Sequence, residues 1–290
     1  AAALTNATVV LHGRNATKVG AAVSMIRTSV PDAKLRTAIF NLGSLNDTAS
    51  GAAGLLQKYP KIDVLVNNAG GIDQAVTADG YVGTFQVNAI APALLARALA
   101  PALARAPAPR VVYVASASNY DGVTKGAWPA KRTAADFLGY ARAAPAVSLV
   151  AAYGISKLLL VWYVKVLQAR EPQPTATATA TTHISVNPGF FRTPPFTPGQ
   201  KEECREAMHF TPCPQTPDQG AASTAFAALV PGAEAAAGRM LDFATTIDKV
   251  GGKWVQGGET CVPRPLPDWD EAEAEKWYDS VQQILDRHVR

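Results

Sequence analysis

The sequence predicts an α/β protein built around one parallel sheet with helices on both faces. Short runs of β-branched and apolar residues alternate along the chain with longer segments of helical periodicity. Strands that are joined by helices in this way form parallel sheets that are covered on both faces. The chain has 290 residues, of which 48% are hydrophobic and 17% are charged, so it can bury a large core.

Three strands and three helices are predicted in the first part of the chain. The first strand is a β-branched and apolar run closed by Gly13, which is typical of a buried strand. The strands are Thr8–His12, Leu35–Phe40 and Ile62–Asn67, and the helices cover about 15–29, 46–58 and 80–104.

The same alternation continues to the end of the chain. The strands are Arg110–Ala115, Ile184–Asn187 and Gly238–Phe243, and the helices cover about 152–169, 217–230 and 269–288. Two longer segments interrupt it, 120–147 with glycine, proline and mixed charge, and 190–217 with many prolines. Long loops inside a compact domain are usually functional. Since we find no repeat and no linker, we expect one domain over residues 1–290.

Composition argues against several classes of protein. The net charge of +4 is spread along the chain without a basic run, so nucleic acid is not an expected partner. Cys204, Cys213 and Cys261 are too few and too irregularly spaced for a zinc cage or a disulfide framework, although pairing of Cys204 with Cys213 is left open. The longest apolar run, Leu158–Val164, falls short of the roughly 20 residues that span a bilayer. We predict no metal site and a cytoplasmic location, and leave open an anchor preceding the residues given.

Tyr153 and Lys157 are the first candidates for catalysis. They are four residues apart in Tyr153-Gly-Ile-Ser-Lys157, so on a helix they share one face at about 6 Å. A phenol titrates near 10, and a neighbouring ammonium favours the phenolate and lowers that pKa. The pair is then a proton donor and acceptor usable near neutral pH. Alone the spacing is weak evidence, because it also occurs on solvated helix edges.

Other polar and glycine-containing motifs accompany Tyr153 and Lys157 in the sequence. Most of them lie where a predicted strand ends, the edge at which open α/β sheets bind ligands. They are Asn67-Asn-Ala-Gly70, Asn88 in the following helix, Ser116 after the strand Arg110–Ala115, and Pro188-Gly-Phe-Phe-Arg-Thr193. Taken singly, these residues are also ordinary turn formers or strand-end hydroxyls.

Together, these motifs resemble the short-chain dehydrogenase/reductase family, in the family's order and over nearly the whole chain. The resemblance implies a Rossmann-type, doubly wound sheet and hydride transfer between a nicotinamide and a carbonyl or alcohol. It implies that Tyr153 is the general acid/base, that Lys157 lowers its pKa and holds the nicotinamide ribose, and that Ser116 orients the carbonyl. Asn88 would hold a water that links Lys157 to solvent. Ser118 is a nearby rival of Ser116, which we prefer because it directly follows the strand.

The resemblance also assigns cofactor contacts. Asn68, Ala69 and Gly70 would face the adenine ribose side, and Pro188, Gly189 and Thr193 would wrap the nicotinamide. Arg14 stands where the family distinguishes NAD from NADP, and an arginine suits a 2′-phosphate, which favours NADP over NAD. The alternative is an exposed arginine that opens a helix. Asn41-Leu42 occupies the place of an Asp-Leu pair that contacts adenine in the family.

One element of the family's pattern is missing from the sequence. The turn Thr-Gly-x-x-x-Gly-x-Gly, which binds the pyrophosphate at a helix N-terminus, does not occur before Arg14. In the usual order 3-2-1-4-5-6-7 the strand before this turn, strand 1, is central, so its loss predicts a gap between the strands near Val9 and Leu65. Because the sequence opens with Ala1 rather than methionine, we expect an N-terminally truncated domain.

Softer features resemble retinol-dehydrogenase-like reductases and predict a lipophilic substrate. They are Asn41-Leu-Gly-Ser-Leu45, the long insertion before Tyr153, and Gly251-Gly-Lys-Trp254 ahead of Trp277. Phe190, Phe191 and Phe196, with Tyr120, Trp128 and Phe137, would line an apolar pocket or pack around a loop. The apolar helix Tyr153–Ala169 either forms a homodimer or packs in the core. The alternative function is a catalytically impaired cofactor-binding or scaffold protein, because the phosphate-binding turn is absent.

Overall fold

The structure is a computed structural model that describes residues 6–116, 133–142, 149–171, 179–188, 217–230, 240–242, 262–264 and 270–289. Strands and helices alternate, as the sequence predicts. The strands are β1 Val9–Gly13, β2 Leu35–Ile39, β3 Val64–Asn67, β4 Arg110–Val114, β5 Thr182–Asn187, β6 Met240–Asp242 and β7 Val262–Arg264. The α-helices are α1 Ala16–Ser29, α2 Leu45–Lys58, α3 Gly83–Phe85, α4 Ala91–Leu103, α5 Ala134–Arg142, α6 Leu149–Ala169, α7 Pro217–Leu229 and α8 Glu271–Leu285, and a π-helix, Gln86–Ile90, joins α3 to α4.

The described strands form two sheets. β1 pairs in parallel with β2, and the second sheet has the order β3-β4-β5-β6-β7. The division separates β1 and β2 from β3, and the sequence predicts a gap between β1 and β3. Val66 of the edge strand β3 is 40% exposed, whereas every residue of the neighbouring strand β4 is buried. The predicted strand order 3-2-1-4-5-6-7 stays a prediction.

Three features differ from the sequence-based expectations. β7 runs antiparallel to β6 and contains Pro263, whose missing N–H is tolerated on an edge strand. α5 forms within the segment 120–147, where no helix is predicted. The expected helix 80–104 begins at Gly83, because the residues before it form a loop, with an isolated bridge between Val76 and Val82.

The apolar stretch of α6 is buried in the fold. Residues Leu158–Val164 are at most 2% exposed. α8 covers this helix: Trp277 donates a hydrogen bond to the carbonyl of Leu159 at 3.0 Å, and Tyr278 stacks on Tyr163 at 5.1 Å between ring centroids. The predicted homodimer through Tyr153–Ala169 stays a prediction, and it would have to use other surface of the helix or displace α8.

Among the residues that the structure describes, one continuous helical stretch, Gly83–Leu103, is long and apolar enough to cross a membrane by length and composition. In the fold, 78% of an apolar 18-residue segment of this helix is buried, as expected for a core helix. The cytoplasmic location stays a prediction.

Candidate active site

Tyr153, Lys157 and Ser116 meet at the carboxyl edge of β4. Tyr153 and Lys157 lie one turn apart on α6, with the Lys157 Nζ 5.7 Å from the centroid of the Tyr153 ring. Ser116 stands two residues beyond the end of β4, and its hydroxyl forms a hydrogen bond with the Tyr153 phenol. The structure thus brings together three residues that the sequence predicted as a catalytic group.

The Lys157 ammonium is held under the end of β4. Its side chain is buried, and Nζ donates a hydrogen bond of 2.6 Å to the carbonyl of Val114. Burial penalises the charged form and lowers the pKa of Lys157 from 10.5 to about 8. The group therefore stays mostly protonated at neutral pH.

The pKa of Tyr153 moves in the direction opposite to the predicted one. Burial raises it above 10, and the hydrogen bond with Ser116 opposes this rise. Desolvation dominates this shift while the Lys157 ammonium is directed to the Val114 carbonyl, and the predicted lowering by Lys157 stays a prediction. Tyr153 is accordingly a phenol, not a phenolate, at neutral pH.

Asn88 lies in the middle of the π-helix and is 1% exposed. Its Oδ1 accepts a hydrogen bond from the Gly71 backbone N–H at 2.9 Å, and its Nδ2 donates to the Gly71 carbonyl at 3.0 Å. Nδ2 also donates to the Ser156 hydroxyl at 2.9 Å. π-Helical turns often occur at functional sites. The side chain of Asn88 is thus engaged by the loop after β3 and by α6, and its predicted role in holding a water stays a prediction.

Gly70, in the loop after β3, lies close to the side chains of Asn88 and Lys157. A Cβ atom at this position would lie 3.0 Å from both the Asn88 Oδ1 and the Lys157 Nζ, so any larger residue would require these side chains to shift. Asn68, Ala69 and Gly70 are all exposed, and their contact with the cofactor stays a prediction. Asn67 is buried and donates to the carbonyl of Pro92 at 3.4 Å, which gives it a structural role.

The residues predicted to bind the adenine end follow two paired strands. Arg14 comes directly after β1 and is exposed. His12 is hydrogen-bonded to the carbonyl of Phe40 at 2.9 Å, which holds the ends of β1 and β2 together. Asn41 and Leu42 come just after β2; Leu42 is buried, and the Asn41 Oδ1 accepts from the Gly43 N–H at 2.9 Å.

Several predicted residues lie outside the described part of the chain. Pro188 directly follows β5 and is half-buried. The predicted residues that the structure does not describe are Gly189, Thr193, Ser118, Tyr120, Trp128, Phe190, Phe191, Phe196, Cys204, Cys213 and Cys261, together with the side chain of Phe137. In the described ranges no group of three or more His, Cys, Asp or Glu side chains could hold a metal ion.

Sequence reasoning missed three contributors to the site. The backbone groups of Val114 and Gly71 carry no side-chain signal that could have identified them. Ser156 could have been found, because it is three residues after Tyr153 and next to Lys157, so it shares their turn of the helix.

Comparison with known proteins gives one family. Residues 1–129 match the family described as short chain dehydrogenase. The uncharacterized oxidoreductase YvaG of Bacillus subtilis (strain 168) is 32% identical over 114 residues, which are 38% of this chain and 42% of that protein. The chain thus spans less than half the length of this curated relative.

Solved structures share the fold. An uncharacterized protein from Mycobacterium paratuberculosis superposes with a TM-score of 0.63 at 23% identity, covering 96% of this chain and 84% of that chain. The NADPH-bound carbonyl reductase from chicken fatty liver gives a TM-score of 0.55 at 15% identity, covering 83% of this chain and 88% of that one. The chain thus shares a Rossmann-like α/β fold with these solved structures, and its residues 1–129 are similar to the short chain dehydrogenase family.

Proposed function

We propose that the protein is an NADP-dependent oxidoreductase that interconverts a carbonyl and an alcohol, with Tyr153 as the general acid/base. The observation that carries the proposal is the hydrogen bond between the Ser116 hydroxyl and the Tyr153 phenol, with Lys157 one helical turn away. Two hydroxyl groups that already contact each other can both reach a single carbonyl oxygen.

The protonation state of Tyr153 suits carbonyl reduction. A hydride carries two electrons to the carbonyl carbon, and the Tyr153 phenol gives its proton to the oxygen, leaving an alcohol and a phenolate. Because burial raises the Tyr153 pKa, the phenol holds this proton at neutral pH. Ser116 would orient the carbonyl oxygen. For alcohol oxidation Tyr153 must first lose its proton, which the positive charge of Lys157 favours.

The described residues fit the two ends of a nicotinamide dinucleotide, which supplies the hydride when bound. The exposed Arg14 guanidinium would hold a 2′-phosphate, beside Asn41 and Leu42. The exposed backbone of Asn68–Gly70 would approach the ribose, and Lys157 and Pro188 would hold the nicotinamide end. The NADPH-bound carbonyl reductase of the same fold supports this choice of cofactor.

Apolar side chains near this edge support a lipophilic substrate. Ile72 is 50% exposed and directly follows Gly71, which Asn88 binds. Val76, on the same loop, is 55% exposed. Exposed apolar residues beside a polar catalytic group are typical of pockets for apolar ligands. With the sequence features of Asn41–Leu45, they favour the retinol-dehydrogenase-like branch.

Turnover measurements test the proposal. NADPH absorbance would be followed with a panel of aldehydes and ketones for the natural sequence, for Tyr153→Phe and for Tyr163→Phe. Tyr163 is the matched control, because it lies on the same helix but its hydroxyl contacts Gln282 of α8. We expect Tyr153→Phe to lose more than about 99% of the activity and Tyr163→Phe to retain it.

Two results would reject the assignment. Equal rates for Tyr153→Phe and the natural sequence would exclude Tyr153 as the acid. Binding of NADPH without turnover of any carbonyl would favour a cofactor-binding or scaffold protein of the same fold.

A further inference from the structure

Ser156 connects three parts of the candidate site. It is fully buried, and its hydroxyl donates a hydrogen bond of 2.7 Å to the backbone carbonyl of Tyr153. The same oxygen accepts from the Asn88 Nδ2 at 2.9 Å. The hydroxyl therefore acts as donor toward the Tyr153 backbone and as acceptor toward Asn88.

Asn88 extends this chain of hydrogen bonds to the loop after β3. Its amide binds both the N–H and the carbonyl of Gly71. Gly70, the preceding residue, lies beside Lys157, since a Cβ atom there would be 3.0 Å from the Lys157 Nζ. The order of contacts is thus Tyr153 backbone, Ser156, Asn88 and Gly71.

We propose that Ser156 is a positioning residue, whose hydroxyl fixes the turn Tyr153–Lys157 of α6 against Asn88 and the loop after β3. A buried amide that loses an acceptor must find another partner or bear a desolvation cost. Without the Ser156 hydroxyl, Asn88 would reorient and release Gly71. Displacement of catalytic groups by about 1 Å can lower a rate by roughly a hundredfold.

This role rests on the proposed oxidoreductase function and predicts a specific kinetic pattern. Ser156→Ala should lower kcat by about tenfold, with a change of less than about twofold in KM for the carbonyl, since the effect is on orientation and not on substrate contacts. Ser156→Thr keeps the hydroxyl and should recover at least half of the lost kcat. Ser280→Ala is the control: Ser280 also donates to a carbonyl of its own helix, at 2.8 Å to Lys276 on α8, away from the site.

A second measurement does not depend on turnover. Amide hydrogen exchange at Gly71 should be faster in Ser156→Ala than in the natural sequence, and unchanged in Ser280→Ala, because Asn88 holds the Gly71 N–H. A kcat for Ser156→Ala equal to that of the natural sequence would overturn the proposal. If the natural sequence shows no turnover, the proposed function fails, and hydrogen exchange alone decides: faster exchange supports the link through Ser156, and unchanged exchange refutes it.

Discussion

Lys157 donates its hydrogen bond to the carbonyl of Val114, so the last residue of β4 holds the buried ammonium in place. A lysine in this position has a pKa of about 8, whereas in the unfolded chain it returns to 10.5. Between these values the unfolded chain binds more protons, and the free energy of unfolding must rise with pH.

The first prediction is that this rise depends on Lys157. Between about pH 8 and 10.5, the shifted pKa of Lys157 should increase the free energy of unfolding by up to about 3 kcal/mol. Urea denaturation between pH 7 and 10 should show the rise in the natural sequence and in Lys18→Met, whose lysine is exposed on α1, but not in Lys157→Met. Parallel curves for all three proteins would contradict the burial of the ammonium.

The second prediction concerns the close approach at Gly70. Gly70→Ala places a methyl group 3.0 Å from the Asn88 Oδ1 and the Lys157 Nζ, which must then move. We expect kcat to fall by about ten- to a hundredfold. Gly20→Ala, where a methyl group meets nothing within 4 Å, is the control and should retain the kcat of the natural sequence. A fully active Gly70→Ala enzyme would show that this contact does not constrain the site.

The third prediction tests the cofactor contact of Arg14. A charge-assisted hydrogen bond to a phosphate contributes about 1.5–3 kcal/mol, so Arg14→Gln should raise the Kd for NADPH by roughly 10- to 100-fold and leave the Kd for NADH nearly unchanged. Calorimetric titration at constant ionic strength measures both. Arg27→Gln, at the other end of α1, carries the same charge change and should bind like the natural sequence. An equal effect of Arg14→Gln on the two cofactors would argue against a 2′-phosphate contact.

The fourth prediction concerns the cover that α8 provides for α6. Trp277 is 1% exposed, and Trp277→Ala should lower the free energy of unfolding by about 3–5 kcal/mol. Trp277→Phe keeps most of the apolar contact and should cost about 1–2 kcal/mol, mainly for the lost hydrogen bond to Leu159. Chemical denaturation gives both values. Trp277→Ala should also loosen α8 from the apolar stretch Leu158–Val164, so light scattering should show self-association only in this variant. If the natural sequence already forms a dimer and Trp277→Ala leaves that dimer unchanged, this role of α8 is contradicted.

Much of the fold could be predicted because burial and sequence pattern coincide in it. Arg110–Ala115 was predicted as a strand and Arg110–Val114 is one, since β-branched and apolar residues follow one another where both faces are covered. α5 was missed because it is short and lies among glycine, proline and charged residues. The direction of β7 could not be read from the sequence, because three residues carry no signal of the neighbour with which they pair.

The candidate site was predictable to the extent that side-chain identity and spacing define it. Tyr153 and Lys157 are four residues apart, and Ser116 follows a strand, so their proximity could be expected. The pKa of Tyr153 could not, because it depends on burial produced by the tertiary structure. The backbone carbonyl of Val114 is common to every residue type, which is why its contact with Lys157 was not foreseen.

The π-helix at Gln86–Ile90 makes the site sensitive to the number of residues as well as to their identity. Each residue of an α-helix advances the chain by about 100° around the axis. Deleting one residue between Asn88 and Ala91, so that ordinary α-helical geometry closes the turn, would rotate the Asn88 amide away from Gly71 and Ser156 while α4 kept its packing. A relative that retains the asparagine but is one residue shorter here would therefore align well and still lack this contact.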